Sequence, residues 1–220
     1  MLAVVRLSES TFMRRFAQQL GLPSGGYGRL VTRVLNIANR PLMAGSADAL
    51  AAAPGSRVAD IGFGGGYGLK ILLDQVGEQG TVYGIDLSST AIAQAQRAFR
   101  RPVDAGRLQL IQAPMKQLPI PDGGLDGVVT VNTIYYIPDS ELRLSLAEVS
   151  RILRPGGRLV VGVGDPSYIA TTPWRNGLIN RPTTEVVGLI EEAGFGIQDH
   201  RRIGESDKAF HVYVAVSKPD

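Results

Sequence analysis

The chain contains no cysteine among its 220 residues. Disulfide bonds, thiolate nucleophiles and cysteine-based zinc sites are therefore excluded. The sequence also lacks an apolar run long enough for a membrane-spanning helix. The opening residues, MLAVVRLSES, hold too few apolar side chains for the core of a signal peptide. We therefore expect a cytoplasmic protein.

A strong excess of either charge is also missing, because 23 basic residues stand against 20 acidic ones and the net charge is +3. Proteins that recognise nucleic acid usually concentrate basic residues on one face. The nearest approach to a basic run, RAFRR at 97–101, is typical of an exposed helix end. We expect no nucleic-acid partner, and the length suits one domain with a sizeable core.

Short apolar runs alternate with helical patterns through most of the chain, which predicts an α/β fold with parallel strands covered on both faces. The last two runs follow each other without a helix and predict an antiparallel hairpin at the sheet edge. The predicted strands are 57–63, 80–88, 107–113, 124–133, 158–164, 196–203 and 209–217, and the predicted helices are 67–77, 89–101, 140–153 and 183–195.

The first fifty residues show no strand pattern. STFMRRFAQQLG and GRLVTRVLNIANRPLM (28–43) have helical character and predict helices lying over the sheet. We therefore divide the chain into an N-terminal helical lid segment, residues 1–50, and a main domain, residues 51–220.

The stretch VADIGFGGGYGLKILL places five glycines within seven positions, between a strand and a helix. Such density predicts a tight packing turn or the close approach of a nucleotide-like cofactor or a phosphate. The dinucleotide pattern G-x-G-x-x-G/A and the phosphate-loop pattern G-x-x-x-x-G-K-[ST] both fail here. The pattern that fits is Asp60-x-Gly62-x-Gly64-x-Gly66.

This pattern resembles the first motif of class I S-adenosylmethionine-dependent methyltransferases, D/E-x-G-x-G-x-G. Asp86 at the end of the second strand, LPIPDGGLDGVVTVN (118–132) and EVSRILRPGGRLVVGV (148–163) resemble further family motifs in the correct order. The resemblance covers about residues 50–217 and is strongest to bacterial quinone-biosynthesis and natural-product methyltransferases. It implies a Rossmann-like, seven-stranded, mostly parallel sheet with one antiparallel edge strand, helices on both faces and an N-terminal helical cap.

The resemblance implies S-adenosyl-L-methionine as cofactor and S-adenosyl-L-homocysteine as product. Asp86 would accept the ribose hydroxyls, although an acid there also suits a helix N-terminus, and Leu87 would flank the adenine. Asp60 would bind the cofactor or fix the N–H groups of the turn. Relatives commonly have an acid where this chain has Pro114, so the N–H and the thioether of Met115 would contact the adenine instead. The implied cofactor-binding residues are Asp60, Gly62, Phe63, Gly64, Gly66, Asp86, Leu87, Met115 and Asn132.

The acceptor side is predicted after the fourth strand, in VNTIYYIPD, where Asn132 and Tyr135 are the catalytic candidates. They match the outer residues of an N-P-P-Y motif that lacks both prolines here. His200 and His211 are predicted to be neighbours across the terminal hairpin, without the third ligand that a metal site needs. The candidates for the substrate pocket lie in the N-terminal segment, after strand four and in DPSYIATTPWRNGLINRP (165–182): Tyr27, Asn39, Tyr136 and Trp174.

The function predicted from these features is methyl transfer to an oxygen, nitrogen or carbon atom of a small-molecule acceptor by in-line displacement. Two alternatives stay open, a nicotinamide-dependent oxidoreductase and a non-catalytic module that binds S-adenosylmethionine. The sequence leaves open the acceptor, the use of a general base and the oligomeric state.

Overall fold

The apolar runs of the sequence form one sheet with the strand order β3-β2-β1-β4-β5-β7-β6. The computed structural model describes residues 39–172, 175–204 and 209–218. The strands are β1 (Arg57–Ile61), β2 (Thr81–Asp86), β3 (Leu108–Gln112), β4 (Leu125–Val131), β5 (Leu153–Gly164), β6 (Phe195–Ile203) and β7 (Phe210–Ser217).

Of the strands that the structure describes, only β7 runs against the others, since its pairings with β5 and β6 are both antiparallel. The predicted fold class is therefore confirmed. The antiparallel strand belongs to the edge hairpin but lies one place in from the edge, between β5 and the outermost strand β6.

Helices cover both faces of this sheet, as predicted. The apolar residues of α1, α2 and α3 pack on one face, and those of α5, α6 and α7 pack on the other. The helices are α1 (Arg40–Leu50), α2 (Tyr67–Val76), α3 (Ser89–Ala98), α4 (Arg100–Asp104), α5 (Asp139–Ile152), α6 (Pro166–Thr171) and α7 (Thr183–Glu192). Short 3-10 turns follow β4 and α6, at Ile134–Tyr136 and Arg175–Gly177. None of the helices in the described ranges is long and apolar enough to cross a membrane.

Most predicted element boundaries differ from the structure by one to three residues, and two further differences change an element. The helix predicted over 89–101 is interrupted at Phe99, which ends α3 and precedes α4. The strand predicted from residue 158 begins earlier, at Leu153, because Leu153 already pairs with Leu125 of β4.

Helix α1 lies directly on β4 and β5 because two strand glycines let it approach. A Cβ on Gly127 would lie 2.9 Å from the Cδ1 of Leu50, and one on Gly162 would lie 2.6 Å from the Oγ of Ser46. This helix overlaps the end of the helix predicted over 28–43, begins at Arg40 and continues to Leu50. Residues 28–38 and the helix predicted over 10–21 lie outside the described residues. The division of the chain at residue 50 stays a prediction.

Candidate functional site

The glycine turn between β1 and α2 lies at the carboxyl edge of the sheet, where open α/β sheets bind ligands. Gly62, Gly64 and Gly66 have φ angles of 76°, 53° and 79°, in the region that favours glycine. A Cβ on Gly62 would meet the Oγ1 of Thr133 at 2.2 Å, and one on Gly66 would meet the Cε2 of Phe99 at 2.9 Å. Beside Gly64 the nearest atom is a backbone oxygen at 4.0 Å. Two of these glycines therefore serve packing, whereas the side of Gly64 is open.

Asp86 ends β2 and bonds to the glycine turn. Its carboxylate accepts hydrogen bonds from the N–H of Gly64 at 2.9 Å and from the N–H of Ser88 at 2.8 Å. Burial raises the pKa of Asp86, and the N–H donors of Ser88, Gly64 and Leu87 partly offset that rise. A carboxylate offers about four acceptor sites, so this arrangement leaves capacity for ligand hydroxyls. Asp86 thus holds the turn in shape, and its predicted ribose contact stays a prediction.

Asp60 lies beneath the first turn of α2 and is 5% exposed. A Cβ on Gly68 would lie 2.3 Å from its Oδ2. Burial, with a smaller contribution from the charge of Asp86, raises the pKa of Asp60 to about 7. Within the described ranges, no hydrogen bond from the turn to this carboxylate is present, so the interpretation that it fixes the N–H groups of the turn is not supported. The pocket that Asp60 faces is lined by Met43, Ala47, Gly62, Phe63, Gly68, Val129 and Val131.

Asp60 and Asp86 together give this edge a negative character. The pKa values of both respond mainly to burial, and in the described part of the chain no basic side chain perturbs either. Buried carboxylates without a cationic partner are costly, and a positively charged ligand would relieve that cost. The site therefore suits a cation better than an anion.

The two residues predicted to contact the adenine differ in exposure. Leu87, next to Asp86, is 52% exposed and available to a ligand. Met115 is 5% exposed and belongs to the same apolar cluster as Leu118 and Ile120. Its thioether is thus packed inside the protein, and stacking on the adenine is not supported. The predicted contact through the Met115 N–H remains open.

The chain turns sharply where β4 ends. Asn132 has a φ angle of 55°, a left-handed conformation that Asn adopts more readily than most other residues except glycine. Its N–H donates to the carbonyl of Gly162 at 2.8 Å. The Oγ1 of Thr133 donates to the carbonyl of Ile61 at 3.2 Å and so connects this turn to β1. The structure thus places Asn132 in the turn directly after β4, at the carboxyl edge, and its catalytic role stays a prediction.

The two tyrosines after β4 have different environments. Tyr135 is 6% exposed, and its hydroxyl donates to the carbonyl of Gly164 at 3.1 Å. Burial raises the pKa of this hydroxyl further above its usual range. Loss of the hydroxyl proton near neutral pH is thus unfavourable, and Tyr135 is better suited to packing than to proton transfer. Tyr136 is 36% exposed and lies at the rim of the carboxyl edge.

The other pocket candidates are only partly described. Asn39 precedes the first residue of α1 and is half-buried, without a side-chain capping bond. Tyr27 and Trp174 lie outside the described residues.

The two histidines are neighbours across the hairpin, as predicted. Nε2 of His200 lies 2.9 Å from Nδ1 of His211, and Nε2 of His211 lies 3.1 Å from Oδ2 of Asp165. The Ser167 hydroxyl and His211 lower the pKa of Asp165 to about 2, so Asp165 is an acceptor at neutral pH. A neutral His211 therefore donates from Nε2 and accepts from His200. No group of three metal-ligating side chains occurs within the described ranges.

Comparison with known proteins identifies the class. Residues 58–157 match the family model described as a methyltransferase domain. A probable S-adenosylmethionine-dependent methyltransferase of Mycolicibacterium smegmatis is 29% identical over 151 residues, which are 66% of this chain and 54% of the relative. An O-methyltransferase of Pyrenophora dematioidea is 27% identical over 177 residues, covering 76% of this chain and 64% of the relative. The chain spans about half the length of the curated relatives it matches.

Solved structures agree on the fold. The N-methyltransferase NodS of Bradyrhizobium japonicum, solved with S-adenosyl-L-homocysteine, gives a TM-score of 0.67 at 20% identity and covers 82% of this chain and 87% of its own. The [4+2]-cyclase SpnF gives 0.69 at 18% identity, over 89% of this chain and 84% of its own. Residues 58–157 thus match a methyltransferase domain, and the described fold is similar to that of a solved methyltransferase. The predicted resemblance to S-adenosylmethionine-dependent methyltransferases agrees with these matches.

Sequence reasoning missed three residues of the site. Met43 of α1 lines the pocket beside Asp60, Thr133 packs against Gly62, and Arg40 places its guanidinium 5.3 Å from the ring centroid of Tyr67 at the start of α2. Thr133 could have been found from its place directly after the fourth strand. Met43 and Arg40 carry no local signal, because only the packing of α1 on the sheet brings them to the glycine turn.

Proposed function

We propose that this chain transfers a methyl group from S-adenosylmethionine to an oxygen, nitrogen or carbon atom of a small molecule. The observation that carries this proposal is the combination of the buried Asp60 carboxyl and the half-buried Asp86 carboxyl with the open side of Gly64 at the sheet edge. When bound, the cofactor supplies the methyl group on a sulfonium leaving group that is already activated.

The residues present fit that cofactor. Asp86 has free acceptor capacity for the ribose hydroxyls, and the open side of Gly64 leaves room for a ligand against the backbone. Asp60 lacks a described hydrogen-bond partner and offers its charge to the positive groups of the ligand. Leu87 provides exposed apolar surface for the adenine.

The position of Asp60 argues against a nicotinamide-dependent oxidoreductase. Dinucleotides place their pyrophosphate at the N-terminus of the helix after the glycine turn. Here the Oδ2 of Asp60 lies close beneath that turn, beside Gly68. A pyrophosphate there would meet a buried carboxylate, and like charges in a poorly solvated site repel strongly.

Several observations support a small organic acceptor. Tyr136 and Ile179 expose 36% and 37% of their surface at the rim of the carboxyl edge. This surface is apolar and aromatic, and the net charge of +3 is small for a protein that binds a polyanion. We include Tyr27, Asn39 and Trp174 as pocket residues and residues 1–50 as the lid segment in this proposal.

The chain's contribution to the reaction is mainly positional. The turn at Asn132 and Thr133 is fixed to β1 and β5 by hydrogen bonds, and Tyr135 is fixed to Gly164. Such fixed groups hold an acceptor in line with the methyl group, which lowers the barrier without a proton-transfer residue. An acceptor that loses a proton would release it to solvent or to its own basic group.

The test has two stages. Calorimetric titration with S-adenosylhomocysteine and with NAD is expected to show binding of the first alone. Transfer of a radioactive methyl group from S-adenosylmethionine is then measured against panels of phenols, carboxylic acids, amines and activated carbon acids. Binding of NAD without a response to S-adenosylhomocysteine would overturn the proposal. Binding of S-adenosylhomocysteine without transfer to any panel would favour the non-catalytic module.

A further inference from the structure

The turn after β4 is held by a distant part of the chain. The residues 178–181, which we call the strap, follow the second 3-10 turn and precede α7. The N–H of Ile179 donates to the carbonyl of Tyr135 at 2.8 Å. The strap is itself anchored, since the side-chain amide of Asn180 donates to the carbonyl of Pro166 at 2.8 Å.

Arg181 makes the strongest of these connections. Its Nη1 donates to the carbonyl of Ile134 at 2.7 Å, and its Nη2 donates to the carbonyl of Ile137 at 2.6 Å. The same guanidinium bonds to the Asp139 carboxylate, at 2.9 Å from Nε. The strap therefore engages a carbonyl at the start, in the middle and just past the end of the turn Ile134–Tyr136.

Arg181 is almost fully buried, so its hydrogen bonds replace contacts with water. Its side chain is 2% exposed, so the guanidinium has given up nearly all of its water. Such a charge is tolerated only when hydrogen bonds and a counter-charge replace that water. Within the turn itself, the i to i+3 bonds are modest, at 3.1 Å for Tyr136 to Thr133 and 3.4 Å for Ile137 to Ile134. The shape of the turn thus depends on Arg181.

We infer that Arg181 is a positioning residue for the acceptor side of the site. It fixes the turn that follows Asn132 and carries Tyr136 at the exposed rim. The strap, which belongs to the predicted pocket segment 165–182, therefore holds the predicted acceptor turn after β4 in place. The role of Arg181 in the reaction rests on the proposed function. Its control of the turn's shape is independent of that function.

The first experiment follows the turn directly. Protein labelled with 3-fluorotyrosine is studied by fluorine NMR, with and without S-adenosylhomocysteine, and the Tyr135 and Tyr136 signals are assigned from Y135F and Y136F. We expect Arg181→Met to shift or broaden both signals, and Arg181→Lys to restore them in part. The signal of Tyr83 should not move. Unchanged Tyr135 and Tyr136 signals in folded Arg181→Met would overturn the inference.

Arg158 provides a matched control. Its Nη1 also donates to backbone carbonyls, those of Ala49 and Leu50, but these belong to α1 on the other face of the sheet. Arg158→Met should leave the Tyr135 and Tyr136 signals in place. Should Arg181→Met fail to fold, Asp139→Asn removes the nearer counter-charge, leaves Glu185 at 3.8 Å from Nε, and is expected to shift the same two signals by less. No shift in Asp139→Asn and Arg181→Lys would equally overturn the inference.

The second experiment measures the reaction. With an acceptor from the transfer panels, Arg181→Met should lower kcat/KM about 10-fold or more, while the Kd for S-adenosylhomocysteine stays within about threefold of the original protein. Unchanged kcat and acceptor KM would overturn the role in the reaction. Absence of transfer in the unmodified protein would contradict the proposed function instead, and the fluorine signals keep the two failures distinguishable.

Discussion

At the β1–β2 end of the carboxyl edge, a carboxylate and a backbone N–H that are 22 positions apart meet directly, as Asp86 and Gly64. At the β4–β5 end, the turn proposed to face the acceptor is held by Arg181, which lies 47 positions beyond the Ile134 carbonyl that it binds. The first region presents hydrogen-bond acceptors and open space, and a local sequence motif determines its conformation. The second region presents side chains, and contacts with distant parts of the chain determine its conformation. The comparison indicates that a short sequence motif orders the glycine turn, whereas contacts between distant segments order the turn after β4.

The largest effect is expected from filling the open side of Gly64. Gly64→Val places a branched side chain where the cofactor would lie and should weaken S-adenosylhomocysteine binding at least about 100-fold, or roughly 2.7 kcal/mol. Isothermal titration measures this change.

Gly77→Val is the control for backbone strain, because Gly77 has a φ angle of 67° and no atom within 4 Å of an added Cβ. Both variants should lose stability, but only Gly64→Val should lose the ligand. Equal affinities in the two variants would contradict a cofactor site at Gly64.

The next effect tests the sugar contact. Asp86→Ala removes charge-assisted hydrogen bonds and should weaken binding by about 1.5–3 kcal/mol. Part of that loss would come from the turn, since Asp86 also accepts from Gly64.

Asp86→Asn separates the two contributions, because the amide oxygen can keep one backbone bond without the charge. An intermediate affinity is expected by titration. An affinity equal to that of the original protein in both variants would remove Asp86 from the site.

A smaller effect should follow the ionisation of Asp60. Its pKa of about 7 means that the ionised fraction rises about tenfold between pH 6 and pH 8. The affinity for the cationic cofactor should rise with pH over this range, by up to about tenfold, and Asp60→Asn should abolish the rise. A pH profile that is the same in both proteins would show that Asp60 does not face the cofactor.

The smallest expected effect is on stability without ligand. The pKa of Asp60 is raised on folding from its usual value of 3.8 to about 7, so its favourable contribution is complete below pH 4 and is lost as the pH rises through 7. Asp60→Asn should therefore be more stable than the original protein at pH 8 by about 1 kcal/mol or more, with a smaller difference at pH 4. Urea unfolding of the free proteins measures both values, and a constant difference would contradict the raised pKa.

The same comparison explains what the sequence could predict. The glycine turn, Asp86 and the order of the strands follow from local patterns, and the structure brings Asp60, Gly64 and Asp86 together as the family resemblance implied. The packing of Met115 could not be predicted, because its burial depends on an apolar cluster drawn from distant segments.

The turn after β4 could not be predicted from local sequence either. Tyr135 is buried in a core cluster of distant segments, and its hydroxyl bonds to the carbonyl of Gly164, 29 positions away. Arg181 belongs to no sequence motif, because its partners are mainly backbone carbonyl groups, which are present in every sequence. Phe99, where the predicted helix is interrupted, likewise lies beside Gly66 of the distant glycine turn.

The most direct test of the proposed cofactor site is a crystal structure of the protein with S-adenosylhomocysteine bound. We expect the ribose hydroxyls to lie within hydrogen-bond distance of the Asp86 carboxylate. The amino acid portion should lie against Gly64, with its ammonium toward Asp60. A nucleoside bound elsewhere, with protein packed over Gly64 and Asp86 directed away from the ligand, would contradict it.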